Sequence, residues 1–408
     1  MLERIRPAAA VQGLFLVFGL TIAAFFPFVS LYLRGRGLTP DEIGLVLAVM
    51  ATARLIANPV WGHLADTSLG RVRALRIGTA GVAVAAFAMN AVGGLVALAA
   101  VTFALAAAQV ATGPNLDALA LAHLGDERMT DYGRIRAWES LSYAAGCLIF
   151  GAVLQANGIR WAMPIFGTAS LGVLAWTVTL RRDVPKRLEG HGRLGAVGAV
   201  FREAPRFWGL LAAVFLVWTG FNGAWNFIAL KISDEGGGPL LVGFGLALGG
   251  LVEVPTMRLS SRLQERWGLR KVYVLGCLVY ALGFLLWGSI SNPTVVSMLA
   301  VFEGLAFGLL FTTSVVIVGR LLPSSLYSTG NSMTAMVGFG IGPIIGAGIG
   351  GFVYQEIGPL ALYAGSSVLA VCGAVAGWFA LSTPALSEPG AVPLQMGPGA
   401  EPEPGLVP

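Results

Sequence analysis

The stretch "IGLVLAVMATARLIANPVWGHLAD" (residues 43–66) aligns without a gap with "VGFGLALGGLVEVPTMRLSSRLQE" (residues 242–265), 199 residues further on. Only Gly44, Leu47, Ala48 and Leu64 keep their identity across the pair, so other features must carry the register. An acid closes each copy, Asp66 in the first and Glu265 in the second, and a basic turn follows both. The preceding segments "FFPFVSL" (25–31) and "AWNFIAL" (224–230) align under the same offset. Each copy is apolar and exceeds the roughly 20 residues that cross a bilayer. The chain therefore reads as two related halves, each threaded through a membrane.

Similar stretches recur from end to end. Of 408 residues, 56% are hydrophobic and only 12% charged, about half the charge of a soluble domain. Twelve spans are expected, at 12–33, 42–65, 74–93, 96–122, 134–155, 160–180, 207–230, 240–263, 271–290, 294–319, 328–354 and 358–382. The fold class is then an all-α membrane protein, its twelve transmembrane helices forming two pseudo-symmetric six-helix bundles. Residues 1–180 make the first bundle, 181–206 a polar central loop and 207–382 the second bundle. Residues 383–408, rich in Pro, Gly and Glu, read as a disordered tail. Two repeated halves of this kind are the architecture of secondary transporters.

The net charge of +5 does not indicate a nucleic-acid partner, because the basic residues are segregated. With the N-terminus inside, twenty-one of 26 Lys and Arg lie on the cytoplasmic side, which is the positive-inside signature. Arg34, Arg36, Arg160 and Lys231 lie outside, and Arg54 lies within a span. Both termini are thus expected in the cytoplasm and the protein in the cytoplasmic membrane, acting as a monomer. The first apolar segment is too long for a cleaved signal peptide. Cys147, Cys277 and Cys372 are isolated in separate spans, so neither a metal nor another cofactor is expected. No HExxH, Gly-x-Ser-x-Gly or phosphate-binding loop occurs, which argues against a membrane enzyme or an ATP-driven pump.

The loop "GHLADTSLGRVR" (62–73) resembles the loop between helices 2 and 3 of the major facilitator superfamily. It has one extra residue between Asp66 and Gly70, and Thr67 where a base is usual; the copy "SRLQERWGLRK" (261–271) keeps the usual spacing. The resemblance extends over all twelve spans and implies a transporter. In that superfamily the loop gates the cytoplasmic side, which makes Asp66, Arg71, Arg73, Glu265 and Arg270 gating candidates. The competing reading is that these charges only obey the positive-inside rule. Within the superfamily, "YGRIRAWESLSY" (132–143) resembles helix 5 of the lactose-permease, nucleoside-symporter and phenylpropionate-permease branch. Carried over, Arg136 falls on a substrate-binding arginine, with Ser140 and Tyr143 one and two turns on. "GLVEVPTM" (250–257) and "FEGLAFGLLF" (302–311) resemble helices 8 and 10 of the phenylpropionate-like group, with Glu303 where a histidine is common.

Charge inside the bilayer needs a partner or a task, since it costs at least about 2.5–3.5 kcal/mol. Arg54 lies mid-span, roughly 18 Å from either end and beyond easy snorkelling. It reads as an ion pair with Asp117, as a contact for a substrate carboxylate, or as both. Arg136, Ser140 and Tyr143 share a helix face, with Glu139 in reach of Arg136; Arg134 points about 200° away and reads as a surface anchor. Spacing alone leaves Arg136 open between anchor and site. Glu253 occupies the position equivalent to Arg54, and Glu303 lies a third of the way into its span. Neither has an evident cation in its own half. Taking a lone carboxylate out of water penalises its charged form, and a group that gains and loses a proton between access states is what proton coupling requires. His63, His123 and His191 all lie at or beyond cytoplasmic helix ends, so Glu253 and Glu303 are the expected carriers, with Glu139 and Asp117 behind them. The alternative is a set of permanently neutral, hydrogen-bonded acids.

Phe25, Phe26 and Phe28 flank Pro27, and Trp225 and Phe227 flank Asn226 at the equivalent place. Pro27 removes a backbone hydrogen bond and is expected to break its helix where a ligand sits. Phe26, Trp225 and Asn226 are therefore ligand candidates, although aromatic stripes also serve lipid and core. Trp61, Trp208 and Trp267 read as an interfacial belt. The leading expectation is proton-coupled uptake of a small organic solute: a nucleoside, a sugar or an aromatic acid. The alternative is a proton-antiporting exporter of drugs or metabolites. "GFGIGPIIGAGIGG" (338–351) resembles an antiporter motif but lies in span 11, where it also reads as close helix packing through small residues.

Overall fold

The computed structural model describes residues 7–124, 132–180, 200, 202, 204–383 and 386. Most of the central loop, the tail beyond 386 and the side chains of His123 and Arg134 lie outside the described residues. The described chain is helical, without a strand. Among the described residues, ten helices are long and apolar enough to cross a membrane. A bent pair, Val11–Phe25 and Val29–Gly35, makes an eleventh span if its two parts are taken together. The stretch expected at 160–180 is a 15-residue α-helix, Ala162–Trp176, with a 3-10 turn at each end. Those turns extend it to on the order of 30 Å.

In chain order the helices are α1 (Pro7–Phe25, continued by Val29–Gly35), α2 (Pro40–Leu64), α3 (Arg71–Ala91), α4 (Leu95–Gln109, resumed at Gly113–Leu124), α5 (Tyr132–Asn157) and α6 (Ala162–Trp176). The second half repeats them as α7 (Arg206–Trp225, continued by Ile228–Asp234), α8 (Pro239–Trp267), α9 (Leu269–Ser289), α10 (Pro293–Met298 and Ala300–Leu321), α11 (Ser324–Met336 and Gly342–Glu356) and α12 (Pro359–Ala380).

Local chemistry sets the ends and breaks. Thr39 and Glu42 form a capping box before α2, with the Thr39 amide donating to Glu42 Oε2 at 3.0 Å and Pro40 opening the first turn. The extra residue between Asp66 and Gly70 is taken up by a π-helical turn, Ala65–Leu69, since such a turn holds one residue more than an α turn. The second half lacks that residue and stays α-helical to Trp267. Both then turn on a glycine with positive φ, Gly70 at 75° and Gly268 at 81°, a conformation that side chains disfavour. Pro27 sits at the 41° bend of α1. Asn226 and Phe227 occupy the matching interruption in α7.

The packing is itself a two-fold pattern. In the first half α1 meets α5 and α6, α3 meets α4 and α6, and α2 meets α4. In the second half α7 meets α11 and α12, α9 meets α10 and α12, and α8 meets α10. Each contact maps on its counterpart by adding six to both helix numbers. The halves join through α2–α11 and α5–α8, which exchange under the same operation.

Glycines bring the joining helices to backbone contact. A methyl on Gly243 would lie 2.1 Å from the Cys147 carbonyl oxygen, and one on Gly44 would lie 2.8 Å from the Gly351 Cα. Gly346 and Gly350 pack α11 on α7 in the same way, so the glycine-rich stretch of α11 works in helix packing.

Candidate functional site: a polar cavity between the halves

A cavity of about 180 Å³ lies between the bundles where α1 and α7 are interrupted. From the first half it is lined by Phe26, Pro27, Ser30, Met50 and Arg54, and from the second by Asn222, Trp225 and Asn226. Four residues singled out by depth and by the internal repeat, Phe26, Arg54, Trp225 and Asn226, therefore share one space. Their neighbours turn away from it. Phe25 stacks on Phe166 at 4.7 Å, Phe28 is buried, and Phe227 stacks on Tyr354 at 5.4 Å.

Arg54 does not pair with Asp117. Its Nη2 donates to Gln109 Oε1 at 3.1 Å, and its guanidinium carbon stands 4.9 Å from the Phe26 ring centroid. Among the described residues no carboxylate lies within ion-pair distance of Arg54. Asp117 is instead 2.7 Å from Arg136 Nη1, with both side chains partly exposed. The physical reason lies in α4, which is interrupted after Gln109. Gln109 ends its first segment opposite Arg54, while Asp117 belongs to the second segment and faces α5. Gln109, Ser30 and Asn222 were not singled out from the sequence. Their signal was there: each is a neutral polar side chain in an apolar helix, and Asn222 is one turn before Asn226.

Glu253 and Glu303 form a second polar centre, on adjoining faces of α8 and α10. Neither acid lines the cavity, which α8 reaches through Leu246, about 10 Å along the helix from Glu253. Glu303 is 8% exposed and lies over Gly249, where a methyl would come within 2.8 Å of Oε2. A methyl on Gly304 would in turn lie 3.0 Å from the Glu253 amide nitrogen. Tyr143 and Tyr280 lie near both carboxyls. Tyr143 rests on Gly250. Ser140 and Arg136, on the same helix face, are exposed. Arg136 lies in electrostatic range of Glu139 in its own half and of Glu253 in the other.

The two candidate gating loops differ. Asp66 and Arg71 are 3.9 Å apart, Arg71 also reaches the Ala118 carbonyl, and Arg73 is exposed. In the second half Glu265 is exposed, and Arg270 lies flat on Trp378 at 3.6 Å. Trp61 is no belt residue either: its Nε1 donates to the Ala107 carbonyl at 2.7 Å and pins α2 to α4.

At the end of the bundle opposite the arginine-rich loops, the halves are tied by polar bonds. Arg34 of α1 pairs with Asp234 of α7. Tyr354 of α11 donates to the other Asp234 oxygen at 2.6 Å; nearer the middle, beside the cavity, Ser30 Oγ donates to the Asn226 carbonyl at 2.6 Å.

Two related helical halves around a central polar cavity define a transporter fold. The chain belongs to the MFS_1 like family, whose model matches residues 10–364, within the major facilitator superfamily. It is 30% identical over 372 residues to the maltose permease of Geobacillus stearothermophilus, covering 88% of this chain and 90% of that one. It is 28% identical over 291 residues to the probable 3-phenylpropionic acid transporter of Escherichia coli (strain K12), covering 70% and 74%. The crystal structure of a mutant of the nucleoside transporter NupG superposes with a TM-score of 0.82 at 15% identity, covering 92% of this chain and 98% of that one.

Proposed function

We propose that the protein is a twelve-span secondary transporter of the cytoplasmic membrane, with both termini inside, that takes up a small organic solute with protons by alternating access. The observation that carries this reading is Arg54, a cation in a cavity between the halves that is held by an amide and an aromatic ring and not by an acid. A half-buried charge in that state is suited to a ligand carboxylate or hydroxyl. Trp225 offers a flat apolar face, and Asn222 and Asn226 offer amides, which fits a sugar, a nucleoside or an aromatic acid. The maltose, phenylpropionate and nucleoside transporters among the similar proteins support this range.

The ion pair at Asp234 closes the outer end in this reading, and the arginine-rich end faces the cytoplasm. The Asp117–Arg136 pair, near Glu253 of the other half, belongs with Asp66 and Arg71 to the inner gate. Asp234→Ala should then release the outer end. A cysteine placed at Ser30, in a chain with Cys372 replaced by serine, should react on the order of fivefold faster with an impermeant thiol reagent added outside. An unchanged rate would remove Asp234 from the gate.

The direct test is thermal stabilisation of the purified protein by a panel of sugars, nucleosides and aromatic acids at acidic and alkaline pH. A ligand that binds the folded state raises its melting temperature, and a proton-linked ligand does so more strongly in acid. Stabilisation by lipophilic drugs alone would favour an exporter. Gln109→Ala should weaken the binding of any hit about fivefold, the cost of releasing Arg54 from one hydrogen bond. An unaltered affinity would return Gln109 to a packing role.

A further inference from the structure

Arg270 begins α9 at the arginine-rich end, but its side chain leaves the gating loop and lies on the indole of Trp378, 3.6 Å from the ring centroid. Its Nε is buried without a hydrogen-bond partner, and among the described residues no carboxylate is within ion-pair distance. From this point a groove of about 360 Å³ runs between α9 and α12, lined by Val274, Leu278, Val371, Val375, Trp378 and Phe379. Its lining is wholly apolar, and Leu278, Val375 and Phe379 are 47%, 51% and 70% exposed on the outer face of the bundle. The run from Lys271 to Leu278 is about 10 Å, two thirds of the ~15 Å that one leaflet's hydrocarbon spans.

We propose that this groove and Arg270 form a binding site for one anionic phospholipid of the leaflet at the arginine-rich end. The groove faces the apolar belt, so an acyl chain is its natural occupant. The guanidinium at its mouth, which has no carboxylate beside it among the described residues, supplies what a zwitterionic lipid answers less well: a net positive charge at headgroup level. Trp378 fixes that guanidinium in the interfacial zone, where an indole is itself favoured. Exposed Lys271 stands beside it. The site is separate from the central cavity and does not depend on what the protein transports.

The test uses purified full-length protein in nanodiscs of phosphatidylcholine, with and without phosphatidylglycerol, read by melting temperature and by native mass spectrometry of retained lipid. Phosphatidylglycerol should raise the melting temperature and remain bound. Arg270→Gln should lower its apparent affinity about fivefold, the contribution of one basic side chain near an anionic surface. Arg270→Lys should restore much of the loss. Val375→Trp, which fills the groove but leaves the charge, should also reduce retention. Equal behaviour in the two lipid compositions would overturn the proposal, as would a phosphatidylglycerol effect that survives both Arg270→Gln and Val375→Trp. Full replacement of the lipid effect by soluble glycerol phosphate would overturn the groove's part in it.

Discussion

Arg54→Met is expected to lower ligand affinity about thirtyfold, the loss that follows when a charged hydrogen-bonding partner is removed. The same substitution should leave the melting temperature of the unliganded protein unchanged or higher. The two readouts together separate a binding role from a structural one. If Arg54 were held by a partner acid, removing it would strand that acid and destabilise the fold. Its contacts are Gln109 Oε1 at 3.1 Å, Met50 Sδ at 3.8 Å and the Phe26 ring, all neutral, so methionine relieves a partly desolvated charge and strands nothing ionic. Arg54→Lys should fall between, because a lysine keeps the charge but not the planar fork that matches a carboxylate. Affinity would be measured by titration of the stabilising ligand, and uptake in proteoliposomes. Unaltered affinity in Arg54→Met would move the ligand away from this cavity.

Much of the fold was legible because the bilayer is a severe solvent: spans must be long and apolar, and repeated halves leave a repeated pattern. The extra residue before Gly70 was visible, and its π-turn accommodation follows from helix geometry. Depth in the membrane and the internal repeat are also written in the sequence, which is why Arg54 on the one ground and Phe26, Trp225 and Asn226 on the other could be named as candidates. Rotation about each helix axis is not written there. Whether Arg54 meets Gln109 or Asp117 depends on where α4 is interrupted, and eight residues separate those two side chains. The same limit applies to Trp61, which turns inward to the Ala107 carbonyl. It applies equally to Arg270, whose stacking on Trp378 joins residues 108 positions apart. The outer ties of Arg34, Asp234 and Tyr354 involve three separate helices, and nothing local in the chain announces them.

Glu303→Gln should abolish uphill accumulation driven by a proton gradient and leave exchange of solute across the membrane intact. Glutamine has the shape of a protonated glutamic acid and cannot release a proton. A carrier fixed in the protonated form can still bind solute and reorient loaded, which is all that exchange requires. It cannot return empty after losing its proton, which net accumulation requires. Glu303 is placed for this role by its burial, by the tight α8–α10 contact over Gly249, and by a second carboxyl, Glu253, on the adjoining face of α8. Glu253→Gln provides the comparison, since Glu253 is less buried and lies in range of Arg136. Proteoliposomes with an imposed inward proton gradient measure accumulation, and preloaded vesicles without a gradient measure exchange. Loss of both activities would mean that Glu303 is structural. Accumulation that persists in Glu303→Gln but fails in Glu253→Gln would pass the proton to Glu253, one helix across and nearer the Asp117–Arg136 pair.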